Sequence, residues 1–193
     1  MKGIISGTGI ARLAGCLPLL LTLSAGAVNV TFDGELLDRP CQIDSASLNQ
    51  TVQFQERAAK YFHRPPGRGP AEDFSIRLVQ CNTSTIWKTV KLRFSGPRED
   101  AMKEQKDYFL KVKGTGGGDN TGKLAIGILD TDGTTLMKLG EAYHNHGQGT
   151  PVDRDTLQFN FKAYVQATPE ALAQKSVTPG SYTSTANFEL FYE

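Results

Sequence analysis

The side chains of this 193-residue chain best suited to hold a metal or act as nucleophiles are three histidines and three cysteines, so their spacing is the first test of chemistry. His144 and His146, in "HNH", have a spacing that can share a metal ion. His63 stands far from them in sequence, and no Asp or Glu joins the pair in a recognisable ligand pattern, so a solvated loop is expected there and no metal. Asp130 and Asp132 in "LDTDG" could be read as a carboxylate pair for acid–base work, but Thr131 and Gly133 beside them make a turn a sufficient explanation. "GGDNTGKL" ends in Leu124, where a phosphate-binding loop needs Ser or Thr to hold magnesium, and a strand pattern rather than a helix follows it. No G-x-S-x-G elbow occurs. These motifs therefore predict neither catalytic residues nor a cofactor.

The cysteines do something else. Residues 1–27 carry Lys2 and Arg12, then the apolar run "CLPLLLTLSAGA", and no acid. That run is shorter than the roughly 20 apolar residues a bilayer span requires, and it ends in the small-x-small site Ala25-Gly26-Ala27. We read a cleaved export signal, with Val28 as the mature start and no membrane insertion afterwards. "LAGC" at Leu13 to Cys16 offers a lipoprotein box as the rival, but there the apolar run should precede the cysteine, and here it follows. Cleavage of 27 residues from 193 leaves 166, enough for one domain with a sizeable core. It also takes two positive charges from a net of +1, leaving about −1, which points to neither nucleic acid nor an anionic membrane as partner. Cys16 departs with the signal. Cys41 and Cys81 remain as an even pair in an exported chain, and a disulfide is the default, stabilising the fold by about 4 kcal/mol. Without C-x-x-C spacing the pair reads as a staple rather than a redox centre. The sequons at Asn29, Asn49 and Asn82 read as chance matches.

The elements that would position these residues are nearly all strands. "TVQFQ" alternates, "FSIRLVQC" puts Phe74, Ile76 and Leu78 on one face, and "TVKLRF" does the same with Val90, Leu92 and Phe94. "FLKVKG" follows, then "LAIGILD" with Leu124, Ile126 and Ile128 in phase, and "LQFNFKAYVQA" with five residues in phase from Leu157 to Val165. Turn-rich stretches such as "RPPGRGP", "GTGGGDNTG" and "GQGTP" separate them. "TPEALAQKS" should hold a helical turn capped by Thr168 with Pro169 at its first position. Many short strands in one exported domain predict an all-β, antiparallel sandwich of immunoglobulin type. The antibody hallmark is missing, because Trp87 follows the second cysteine instead of lying between the two.

The two ends of the chain belong together in this reading. From Tyr182 to Tyr192 every second residue alternates in one phase, which predicts one long final strand with no successor to cover it. At the mature start Val28, Val30, Phe32, Gly34 and Leu36 share a face, while Asn29, Thr31, Asp33 and Glu35 alternate with them. That segment is either an ordinary first strand of its own sheet or a strand added to the open edge of another copy. A bare edge over an apolar cleft invites aggregation, so something must cover it.

With "VTFDGELLDRPC" leading to a first cysteine, "FSIRLVQC" to a second, Gly180 fourteenth from the last residue and Tyr192 penultimate, the chain resembles subunits of chaperone–usher pili of Gram-negative bacteria over its whole length. "RPPGRGPAEDFSIRLVQC", "ILDTDGTTL" and "ATPEALAQKSVTPG" are most similar to the adaptors that join a tip fibrillum to a pilus rod. The resemblance implies an incomplete immunoglobulin-like sandwich lacking its seventh, C-terminal strand, completed by a donor strand in trans. It implies a donor extension at residues 28–39, with Val28, Val30, Phe32, Gly34 and Leu36 entering a neighbour, and a pilin domain at residues 40–193. It places Gly180, Phe188, Leu190, Tyr192 and Glu193 in the acceptor groove and its chaperone contact. The partners implied are a periplasmic chaperone, an outer-membrane usher and neighbouring subunits, with the product an extracellular fimbria. Another minor or major fimbrial subunit is the nearest alternative. A self-complete secreted sandwich that binds a ligand, and a hydrolase with a metal at His144 and His146, are the alternatives from other classes.

Overall fold

The computed structural model describes residues 39–193. The expected signal and the donor positions Val28, Val30, Phe32, Gly34 and Leu36 lie outside the described residues. In chain order the strands are β1 (Gln42–Ile43), β2 (Glu72–Val79), β3 (Thr89–Ser95), β4 (Phe109–Lys111), β5 (Lys113–Gly117), β6 (Leu124–Leu129), β7 (Thr150–Pro151), β8 (Leu157–Ala167), β9 (Gly180–Thr183) and β10 (Asn187–Tyr192). Two short helices, α1 (Ser45–Leu48) and α2 (Pro169–Gln174), and two 3-10 segments, Ala59–His63 and Asp100–Tyr108, complete the elements.

All pairings are antiparallel. One sheet runs β1-β2-β8-β6-β4, a second runs β10-β3-β7, and β5 with β9 forms a separate ribbon. The inward phases of β2, β3, β6 and β8 interleave between the two larger sheets, as alternation requires. Phe161, fully buried, sits at their centre, 5.5 Å from the ring of Phe74 on its own sheet and 5.1 Å from Phe94 across the sandwich. The Cys41–Cys81 disulfide forms and ties the start of the described chain to the end of β2. Thr168 caps α2 through its hydroxyl, which accepts from the Ala171 N–H at 3.4 Å, and Pro169 opens the helix as the sequence predicts.

Four strand expectations change. "TVQFQ" keeps its alternation, Val52 and Phe54 half-buried and Thr51, Gln53 and Gln55 exposed, but joins no ladder. "LAIGILD" is buried on both faces rather than one, because the 3-10 segment Asp100–Tyr108 covers its back. Met102, Phe109, Ala125, Leu129 and Tyr164 make that second small core, so the alternation within β6 carries no polar face. "FLKVKG" splits between two sheets around the fully buried Val112. The long final strand also splits: residues 184–186 leave the ladder, Ser184 turns its hydroxyl to the Lys111 carbonyl at 2.7 Å, and β9 and β10 end up in different sheets.

Candidate functional site

His144 overturns the expectation of a solvated loop. It is 1% exposed, stacked edge-on against Phe159 at 5.1 Å. Its Nδ1 lies 2.7 Å from Asp130 Oδ1 and its Nε2 lies 2.8 Å from Thr150 Oγ1. An ionised carboxylate only accepts, so Nδ1–H donates to Asp130, and in the neutral ring the Thr150 hydroxyl donates to Nε2. Asp130 also accepts from the N–H groups of Thr131 at 2.7 Å and Asn145 at 2.8 Å. Burial pushes the Asp130 carboxyl up, but these bonds, led by that from His144, outweigh it and hold the group below its ordinary value. Asp130 is therefore more than a turn residue. His146 faces solvent, 3.9 Å from a different carboxylate, Asp132. The two imidazoles address separate partners, and the first pins the loop between β6 and β7 onto the core.

The "GGDNTGKL" segment is likewise structural. Asn120, 1% exposed, donates from Nδ2 to the Thr178 carbonyl at 2.9 Å and accepts the Thr178 N–H at 3.0 Å. This side-chain bridge fastens the glycine-rich turn to the strand entering β9. Nothing in the sequence pattern marked Asn120, since its role depends on a residue 58 positions away.

What remains open is a cleft of about 1070 Å³ on one side of the sandwich. Its floor is apolar: Phe74 and Ile76 from β2, Phe94 from β3, Ile126 and Ile128 from β6, and Ala163 from β8. One wall is the extended segment 50–59, and the other runs through residues 179–188. The walls touch where Phe54 and Tyr182 bring their ring centroids to 6.3 Å. Burial there pushes the Tyr182 phenol up. Both walls carry unused backbone. β10 pairs with β3 alone, and among the described residues no backbone ladder joins segment 51–57. Gln50 anchors the near end of that wall by donating from its side chain to the Ser75 carbonyl at 2.7 Å. Small-molecule pockets occupy roughly 300–1,000 Å³ and present a few placed polar groups. This cleft is at least as large, and each of its walls also presents a peptide edge.

The residues expected in an acceptor groove take distinct places. Gly180 lines the cleft at the start of β9, where an added Cβ would stand 2.5 Å from the Gly118 carbonyl oxygen and 2.6 Å from that of Gly116. No side chain fits there without moving backbone. Phe188 lines the cleft as well, its ring 6.5 Å from Phe94. Leu190 and Tyr192 share its phase but lie further along β10, opposite Leu92 and Val90, half-buried on the core outside the cleft lining. Burial, its largest influence, raises the Tyr192 phenol. Glu193 is seated on β3: its carbonyl oxygen accepts from the N–H groups of Lys88 at 2.7 Å and Thr89 at 2.9 Å, and its side chain pairs with Lys91 at 2.7 Å. The floor residues Ile76, Ile126 and Ile128 read in sequence only as core. Their alternation was visible, but which core residues would border a cleft was not.

The comparisons agree with this geometry. The family model described as fimbrial protein matches residues 30–193. The fimbrial adapter PapK of Escherichia coli is 49% identical over 184 residues, covering 94% of this chain and 98% of that protein. Fimbria A protein of Serratia marcescens is 32% identical over 193 residues, covering 100% and 97%. Among solved structures, a crystal structure of the P pilus rod subunit PapA covers 80% of this chain and 100% of its own, with TM-score 0.58 and 24% identity. A subunit from the structure of a chaperone–usher pilus covers 89% and 99%, with TM-score 0.63 and 23% identity. The last two likenesses establish the fold, an incomplete immunoglobulin-like sandwich. An apolar cleft between two unpaired backbone edges, within a sequence matched by the family model from residue 30 to its last residue, identifies the chain as a member of the fimbrial protein family.

Proposed function

We propose that this chain is a structural adaptor subunit of a chaperone–usher pilus, joining a tip fibrillum to the rod through donor strands. The observation that carries the reading is the cleft: an apolar floor flanked by segment 51–57, which joins no ladder among the described residues, and by β10, whose one ladder partner there is β3 on its far edge. An extended peptide inserted there would satisfy both edges at once and cover the half-buried Phe74 and Phe188, which is strand addition. Identity to fimbrial adapters along nearly the whole chain favours the adaptor role over other subunit types.

In this proposal the signal at residues 1–27 is removed, residues 28–39 form the extension, and residues 40–193 form the receiving domain. Val28, Val30, Phe32 and Leu36 enter the neighbour's cleft, and Gly34 serves a close backbone approach. Burying those four side chains contributes about 6–12 kcal/mol gross, at ~1.5–3 each, before the cost of ordering the segment. Before assembly a periplasmic chaperone supplies the strand and holds the carboxylate of Glu193, and exchange follows at an outer-membrane usher. Gly180 and Phe188 line the receiving cleft, and Leu190 and Tyr192 continue the same face of β10 beyond it.

The test is thermal unfolding of residues 40–193 with the N-terminal segment of a partner pilin as a synthetic peptide, against a scrambled peptide of the same composition. A large rise in melting temperature with the true sequence alone is expected. A cooperative monomer indifferent to both peptides would show that the sandwich closes on itself, and the reading would fall.

A further inference from the structure

Charge around the cleft is lopsided. The wall at residues 179–188 has no charged residue, and the floor has none. On the opposite side the wall continues into residues 56–68, which hold Arg57, Lys60, Arg64 and Arg68 against one carboxylate, Glu56; Glu56 and Arg57 line the cleft itself, and Arg68 lies over the ring of Tyr164. All four cations are exposed. Elsewhere among the described residues some cations are ion-paired and others are not; Arg77 with Asp44, Arg98 with Asp107 and Lys162 with Asp73 are paired. None of these four cations takes part in such a pair among the described residues. Arg57 lines the cleft, and its guanidinium stands 4.9 Å from the ring of Tyr61, with the Lys60 ammonium 5.7 Å from the same ring. Arg57 thus stands at the rim with Lys60 beside it on the same ring, and the ring neutralises neither.

We infer that the cleft is built to receive an extended segment whose buried face is apolar and whose solvent face carries carboxylates, with Arg57 and Lys60 reading those acids. The inference rests on the donor-strand reading and adds the chemistry of the partner. A strand in the cleft turns alternate side chains inward, so the others stand at the rim. The chain's own extension shows the required pattern: Val30, Phe32, Gly34 and Leu36 share one phase, and Asp33 and Glu35 occupy the other. Opposite charge at an exposed rim acts chiefly on encounter rate and partner choice, and it is screened by salt.

The probes are a labelled peptide of residues 28–37 and its Asp33→Asn, Glu35→Gln counterpart. They are mixed with the chain from Val28 onward, at a concentration where it sediments as a monomer. At about 50 mM salt the acidic peptide should associate about tenfold faster than the neutral one, and the gap should close near 0.5 M. The Arg57→Glu, Lys60→Glu double variant should reverse the order, and Arg57→Gln, Lys60→Gln should abolish the difference. Equal rates and equal salt dependence for both peptides on all three proteins would overturn the inference while leaving the donor-strand reading intact. Binding of neither peptide, where a partner pilin's segment still raises the melting temperature, would overturn it as well. Failure of every peptide would remove both.

Discussion

The two flanks of this sandwich are made of the same alternating strands and finish differently. Around β6 all six residues are buried, because the 3-10 segment Asp100–Tyr108 closes the outer face over Ala125 and Leu129. Gly127 lets that closure happen, since a Cβ there would lie 2.9 Å from both Leu136 and Tyr164. Along β10, by contrast, Phe188, Leu190 and Tyr192 stay half-buried, and one backbone edge faces no partner among the described residues. Both strands present an apolar phase to the core. What differs is whether the chain brings its own cover. An apolar face with a cover is core, and one without it is a receptor for strand addition.

That contrast can be broken most sharply at its closed centre. Phe161→Ala should cost about 3–5 kcal/mol, because the ring is wholly buried among Phe74, Phe94 and Phe159 and the two sheets cannot collapse onto the space. Denaturant unfolding measures it, and a loss below ~1 kcal/mol would mean that the interior is already as loose as the cleft.

The buried polar clip comes next. His144→Ala should cost about 1–3 kcal/mol, since it removes a partner from the buried Asp130 and from the part-buried Thr150 hydroxyl. The same clip gives a pH dependence of definite sign. Asp130 is held below its ordinary value in the fold, so its stabilisation is complete above the unfolded carboxylate value, near 3.9, and is lost as pH falls through the lower folded value. Unfolding free energies at pH 7 and at about pH 3 should show a loss that Asp130→Asn reduces. An unchanged acid limb in that variant would place the acid sensitivity elsewhere.

The smallest effect on stability belongs to the open flank, and there it separates stability from function. Phe188→Ala should change unfolding of the uncomplemented domain by about 1 kcal/mol or less, because the ring is only partly covered to begin with. It should nevertheless remove much of the rise in melting temperature produced by a partner pilin's peptide. If instead it destabilises the free domain as much as Phe161→Ala does, Phe188 is ordinary core and the contrast between the flanks disappears.

Period-two alternation in the sequence determined the class of this protein: β2, β3 and β8 fall where "FSIRLVQC", "TVKLRF" and "LQFNFKAYVQA" predict them, and Thr168-Pro169 opens the short helix. An even pair of cysteines behind a segment that reads as an export signal was enough to predict the disulfide. Local pattern suffices for these because strand phase, helix caps and cysteine number are properties of neighbouring residues or of composition. The tertiary structure alone decided the rest. Whether the second face of β6 met solvent depended on a 3-10 segment with little apolar periodicity of its own. His144 could be placed inside only by knowing that Asp130 and Thr150 flank it in space. The "TVQFQ" stretch has a strand's alternation without a strand's ladder, and its meaning as a cleft wall appears only when the opposite wall at residues 179–188 is in place. Alternation states which side of a segment is apolar. Whether that side is covered depends on long-range neighbours, and in this chain that missing information is the site itself.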